Sequence, residues 1–167
     1  YYSGIAKIYM AEALGMLTTM FGDIPYSEAF QGAEGNITPI YDTQADIFVS
    51  IQTLLDEAIT ELSVDVEGDI EPGSDDVVFN GDPEKWTATA HSLKARYYLT
   101  EGNLPAATVS LTNGIKSNAG TAVYPFASAL TSGNPIYSFG DFERPGTMGA
   151  HPTFSAKMSG DPRSSLN

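Results

Sequence analysis

Carboxylates and aromatic rings are the residues of this chain that could do chemistry, and the stretch FGDIPYSEAF, Phe21 to Phe30, holds both. Asp23 and Glu28 flank Pro25 there. Glycoside hydrolysis needs two carboxylates at a set separation across the scissile bond. Nothing in this spacing sets one, and 21 Asp and Glu residues make chance pairs inevitable. The two read as a helix-end acid and a solvated acid. The run Asp65, Glu67, Asp69, Glu71, Asp75 and Asp76 invites a calcium reading, but Ile70 stands where an EF-hand loop counted from Asp65 needs glycine. A solvated acidic loop is the simpler reading. His91 and His151 are the only histidines, and His91 has no histidine or carboxylate four residues away, so no metal site is expected. No nucleophile elbow, P-loop or dinucleotide fingerprint occurs. Catalytic residues and cofactors are therefore expected to be none.

Aromatic rings can stack on the apolar face of a pyranose, helped by nearby Asp, Asn or Arg hydrogen bonds. Tyr26 and Tyr41 flank turns. Tyr137, Phe139 and Phe142 alternate with Ser138, Gly140 and Asp141, the pattern of a strand edge or a binding lip. These five are the candidate ligand contacts. Trp86 sits on a helical stripe and reads as core. The rest of FGDIPYSEAF reads as a structural turn. Gly22 and Pro25 stop a helix, Phe21 continues its buried stripe, and Asp23 is placed to bond backbone amides freed in the turn.

The chain has 167 residues, 42% hydrophobic and 17% charged, which suits one globular domain. Eight Lys and Arg against 21 acids leave a net charge of -13, which disfavours nucleic acid and direct adsorption to anionic lipid. There are no cysteines, so disulfides, thiolate metal sites and a cysteine nucleophile are excluded. No apolar run is long enough to span a membrane as a helix. The opening YYSGIAKIYM shows no signal peptide and starts inside a periodic segment, so a trimmed piece of a longer protein is expected.

Four helices must position these residues. The first is predicted from about Ser3 to Met20, with an apolar stripe of Ile5, Ile8, Tyr9, Ala13, Leu17 and Met20 and a stop at Gly22. The second, capped by Thr43 or Asp42, carries Ile47, Phe48, Ile51, Leu54, Leu55, Ala58, Ile59 and Leu62 in register. The third starts at Asp82 and Pro83, buries Trp86, Ala90, Leu93 and Tyr97, and stops at Gly102. Asn103 and Pro105 restart a fourth, from about Leu104 to Lys116, in an antiparallel hairpin. Residues 1–118 thus form a helical scaffold. Residues 119–167 are an irregular, aromatic-rich segment of the same domain, in which TFSAKM could form one or two turns. The hairpin matches part of the tetratricopeptide spacing through Ala95, Tyr98, Ala107 and Leu111, whereas His91 and Lys94 stand where that repeat prefers Trp and Leu.

Four segments occur in a telling order: FGDIPYSEAF, TPIYDTQADIFVSIQTLLDEAITEL, FNGDPEKWTATAHSLKARYYL and SGDPRSSLN. Together they resemble the SusD/RagB family, most closely its starch-binding, SusD-like branch. The resemblance implies an all-α fold of tetratricopeptide-like hairpins. It also implies a lipid-anchored protein at the outer-membrane surface of Bacteroidetes that binds oligosaccharides or other nutrients, is no enzyme, and caps a SusC-like TonB-dependent transporter. Family members are much longer and carry a signal peptide and a lipid-accepting cysteine, so the resemblance also implies an internal fragment. It transfers no specific binding residues. The rival readings are a tetratricopeptide-like protein-interaction module without a small-molecule ligand and, more remotely, a glycosidase using Asp23 or Glu28.

Overall fold

The helix with the cleanest apolar pattern shows how the others are placed. In the computed structural model, which describes residues 1–64, 70–127, 132–146, 149 and 152–160, the Thr43 hydroxyl accepts from the Asp46 N–H at 3.2 Å and starts α2, Gln44–Leu62. Its buried side chains are the expected Ile47, Phe48, Ile51, Leu55, Ala58 and Leu62, with Leu54 and Ile59 partly covered, and in addition Gln52, whose Nε2 donates to the Lys94 carbonyl at 3.3 Å. α3, Pro83–Thr100, opens on Asp82, whose carboxylate accepts from the N–H groups of Glu84 and Lys85, both at 3.1 Å. Pro83 needs no donor at that place. Trp86, Ala90 and Tyr97 are buried, and Leu93 partly so.

α1, Tyr2–Phe21, ends as expected at Gly22, whose φ of 79° lies in the left-handed region glycine tolerates. Its buried face is a different one from the expected stripe. Ile8 is buried and Ile5 partly so, but Tyr9, Ala13, Leu17, Met20 and Phe21 are exposed. Gly4, Ala11, Leu14, Gly15 and Thr18 are buried instead. Small residues allow closer approach. A Cβ on Gly4 would stand 3.1 Å from the Ala58 carbonyl oxygen of α2, and one on Gly15 would meet the Tyr97 ring of α3 at 2.1 Å. Of the larger side chains, Tyr9 reaches Trp86 of α3 while Met16 and Met20 stand beside the groove between α1 and α3.

The turn before α3 is built around Asp76. One of its oxygens accepts from Trp86 Nε1 at 2.7 Å and from the Gly81 N–H at 2.9 Å; the other accepts from the N–H groups of Val78 and Phe79. Trp86 is 2% exposed, with Phe79 and Tyr9 edge-on to it at ring-centroid distances of 5.1 and 5.4 Å. The expectation of a core tryptophan holds.

Gly102 and Asn103 turn α3 into α4, Leu104–Leu111, and the Asn103 side chain accepts from the Ala106 N–H at 3.2 Å. Ala95 and Ala107 are each 1% exposed, so the small positions of the tetratricopeptide spacing bring the two helices together. Leu111 does not fill the gap as expected; it is 48% exposed. α4 also stops five residues before Lys116, because the chain turns at Gly114 to dock on α3. There the Ile115 N–H donates to Ser92 Oγ at 2.9 Å, and Lys116 Nζ donates to the Leu111 carbonyl. Lys94, in the place the repeat gives to Leu, is 8% exposed and ties α3 to α2 through an ion pair with Asp56.

Residues 1–124 form one compact unit and 125–167 a second. In the second, Asn134 caps α5, Pro135–Ser138, by accepting from the N–H groups of Ile136 and Tyr137. α5 runs into a single wide π turn, Phe139–Glu143, and α6 spans Pro152–Lys157 where one or two turns were expected. The Tyr137–Phe142 stretch is therefore helical, not a strand edge. A proline at the first helical position and a capping asparagine outweigh the alternation of its side chains. No strand occurs among the described residues beyond an isolated bridge between Ile24 and Asp42.

Candidate ligand-binding site

The connection from α1 to α2 is a long loop, and its acids explain why it keeps one shape. Asp23 Oδ1 accepts from the Gln44 N–H at 2.9 Å, so it satisfies the first turn of α2 rather than its own turn. Gln44 Nε2 in turn donates to the Thr18 carbonyl at 2.7 Å, which pins the end of α1. Glu28 Oε2 accepts from Asn36 Nδ2 at 3.0 Å and from the Ile40 N–H at 3.1 Å, closing the outer part of the loop. Both carboxylates that a glycosidase reading would use are engaged in holding backbone.

Asp42 is the centre of the arrangement. Its Oδ2 accepts from the N–H groups of Tyr26 and Ser27 at 2.8 and 2.7 Å, and its Oδ1 accepts from Ser27 Oγ at 2.7 Å. The Ser27 hydroxyl, followed by the two N–H groups, holds the Asp42 carboxyl below the usual carboxylate range. With the Ile24–Asp42 bridge this brings Tyr26 and Tyr41 onto neighbouring backbones. The Tyr26 side chain is half-buried against the core, and Tyr41 is 70% exposed.

The loop also presents residues that sequence reasoning missed. Phe30 is 91% exposed, Ile37 84% and Ile40 56%. Phe30 holds a φ of 64°, a left-handed conformation that costs a residue with a Cβ about 1–2 kcal/mol. The signal was available in outline. Large apolar residues among Gly32, Gly35 and Asn36 follow neither a helical nor a strand period, so no core face claims them.

The remaining three candidates lie in the second unit. Tyr137 of α5 and Phe142 of the π turn meet edge-on at 5.8 Å and 83°. They are 57% and 58% exposed, and Phe139 is 38% exposed. The five predicted contacts thus fall into two groups, one per unit, and every group except Tyr26 offers ring surface to solvent.

Between α3 and α4 lies a groove of about 370 Å³ lined by His91, Lys94, Tyr98, Val109, Ser110 and Asn113. Burial, and then the Lys94 ammonium, hold His91 below its ordinary value, so it is neutral at pH 7. Of the acidic run, Asp75 and Asp76 are occupied by protein donors: Asp75 accepts from the Tyr2 hydroxyl and the Gly73 N–H. Residues 65–69, His151 and the final motif beyond Gly160 lie outside the described residues. No group of three or more His, Asp or Glu among the described residues could hold a metal ion.

A family model described as "Starch-binding associating with outer membrane", SusD-like_2, matches residues 1–165. No curated protein matches. Among solved structures, a SusD/RagB family protein from Bacteroides thetaiotaomicron VPI-5482 is 28% identical with a TM-score of 0.80, over 96% of this chain and 34% of that one. A SusD homolog from Bacteroides uniformis ATCC 8492 is 30% identical with a TM-score of 0.66, over 81% of this chain and 28% of that one. A chitin-binding protein is 28% identical with a TM-score of 0.71, over 98% and 35%. The chain thus spans about a third of the length of these relatives. With helices, hairpin spacing and a family match over nearly every residue in agreement, the chain belongs to the SusD/RagB family, in its SusD-like branch.

Proposed function

We propose that this chain is part of a cell-surface glycan-binding protein that captures oligosaccharides and passes them to a TonB-dependent outer-membrane transporter. The observation that carries the reading is the match of residues 1–165 to a family described as starch-binding and associating with the outer membrane. A relative described as chitin-binding, with the same fold over 98% of this chain, points to glycans as the ligand class. Action by binding and not by turnover is part of this reading; it is supported by the family's description as starch-binding and by Asp23, Glu28 and Asp42 all holding backbone groups. Tyr26 and Tyr41 on the loop, and Tyr137, Phe139 and Phe142 in the second unit, are the proposed ligand contacts, rings suited to sugar faces.

Isothermal titration of the family-length protein against malto- and chito-oligosaccharides tests the ligand class. Co-purification of a TonB-dependent channel tests the hand-over. Saturable binding of either sugar series supports the reading. Absence of both glycan binding and the channel, in a folded protein, refutes it and favours a tetratricopeptide-like interaction module.

A further inference from the structure

α1 carries two apolar faces, and the outer one is only partly covered: Tyr2 donates to Asp75 and Tyr9 lies edge-on to Trp86, while Ala6, Ala13, Met16 and Met20 stay exposed. The inner face of Gly4, Ile8, Ala11, Gly15 and Thr18 meets α2 and α3. On the opposite side Tyr2, Ala6, Tyr9, Ala13, Met16 and Met20 follow one another at alternating spacings of four and three, the repeat of a helix–helix seam. All six are exposed, Met16 at 59% and Met20 at 69%, and none carries a charge. A surface helix ordinarily sets charged and polar residues opposite its buried face, and this one does not. At 20 residues this one is roughly 30 Å long, so its free face exceeds the isolated apolar spots normal on a surface. Beside it a groove of about 270 Å³ runs between α1 and α3, with Met16 and Met20 on its wall and Glu12 and Arg96 among its lining.

We propose that this face is the docking seam for an α-helix laid along α1 at a shallow crossing angle. The helix is supplied by the part of a family-length polypeptide that lies outside these 167 residues. Spacings of four and three are what such 3-4 packing uses. Length argues for this occupant, because relatives with the same fold are about three times as long and the matched region is 34% of one and 35% of another. Charge argues against a second copy, which would set a net charge of -13 against another of -13. A helix of the same polypeptide also avoids the association entropy a separate partner must overcome.

The absence of cysteine in the chain supplies the test. Ala13→Cys places one thiol in the middle of the seam, and Ala45→Cys places a control on the exposed side of α2. Maleimide labelling rates are compared in the 167-residue chain and in the family-length polypeptide, with each unsubstituted protein as blank. The expected result is equal rates at both positions in the short chain and slowing at Ala13→Cys by at least ~100-fold in the long one. Unchanged labelling in the long polypeptide overturns the proposal. So does slow labelling in the short chain, which assigns the seam to a second copy if it depends on protein concentration and to residues 125–167 if it does not. Ala6→Cys, on the same seam, repeats the measurement should Ala13→Cys fail to fold.

Discussion

Replacing Gly15 with alanine sets two well-characterised effects against each other, and the geometry decides between them. In an open helix interior Gly→Ala stabilises by about 1 kcal/mol, because glycine loses more backbone entropy on folding. At Gly15 the added Cβ would stand 2.1 to 2.3 Å from Cζ, Cε1 and the hydroxyl oxygen of Tyr97. Ordinary contact needs about 3.5 Å or more, so the ring must retreat by more than an ångström. Tyr97 is 4% exposed and packs on Phe48 at 6.3 Å between ring centroids, which blocks one direction. The groove between α1 and α3, which Tyr97 lines, offers the other. Overpacking of this kind costs about 1–3 kcal/mol, so after the gain of about 1 kcal/mol Gly15→Ala should come out destabilising by up to about 2 kcal/mol, centred near ~1. Urea unfolding read by the fluorescence of the single tryptophan, Trp86, measures it. A Tyr97→Leu background removes the clash, so there Gly15→Ala should stabilise, giving a coupling energy of about 2 kcal/mol between the two sites. A Gly15→Ala variant that is more stable in both backgrounds would refute the claim that this glycine exists to seat Tyr97.

The loop and the capping turn make further tests. Asp42→Ala should strip hydrogen-exchange protection from the Tyr26 and Ser27 amides while leaving α2 amides protected; unchanged protection would mean the loop is held by something else. Asp76→Ala leaves Trp86 Nε1 and several N–H groups without an acceptor, and should cost about 2–4 kcal/mol in urea unfolding with a shift of the tryptophan emission. Hydrogen bonds to Asp42 lower its carboxyl value. At Asp76 burial pushes the value up, but the Trp86 and backbone donors outweigh it. Depressed folded-state values mean stability that is complete above the unfolded values, near ~4, and lost as pH falls through the folded ones. The urea midpoint should therefore vary little from these groups between pH 7 and 5 and drop below about pH 4, less steeply in Asp76→Asn. Tyr41→Ala should leave stability within ~0.5 kcal/mol and weaken oligosaccharide binding about 10-fold in titration calorimetry; undiminished affinity would remove Tyr41 from the site.

Elements with a cap, a stripe and a stop were readable residue by residue. Thr43, Asp82 and Asn103 cap the helices assigned to them, and Gly22 and Gly102 end theirs. α2 was the easiest because its polar face carries charges, so the apolar stripe had a contrast to stand against. The loop was legible as a turn but not as a scaffold. That Asp23 serves Gln44, 21 residues on, and that Asp42 serves Tyr26 and Ser27 are pairings across a long connection, and nothing local encodes them. Alternation misled at Tyr137 to Phe142, where Asn134 and Pro135 carried the better signal. The end of α4 depended on Ser92, a residue of another helix.

α1 is the instructive failure. Its stripe was drawn through apolar residues that recur at spacings of three and four, Ala13 among them. A helix with apolar residues on opposite sides and only Lys7 and Glu12 charged gives little contrast between its faces, and the choice of inner face falls to close approach. Gly4, Ala11 and Gly15 are inner because α2 and α3 come nearer over glycine and alanine than over methionine. Tyr9, Met16, Leu17 and Met20 are outward for the same reason. Both faces were therefore present in the sequence, one rich in glycine and alanine and one carrying Tyr2, Tyr9, Met16 and Met20 among residues at spacings of four and three. A surface helix spends its outer face on polar groups, as α2 does with Asp46, Thr53 and Thr60, while its Asp56, Glu57 and Glu61 pair with Lys94 and Lys7 of the neighbouring helices. That contrast between neighbouring helices of one unit is the physical reason for expecting the outer face of α1 to be covered.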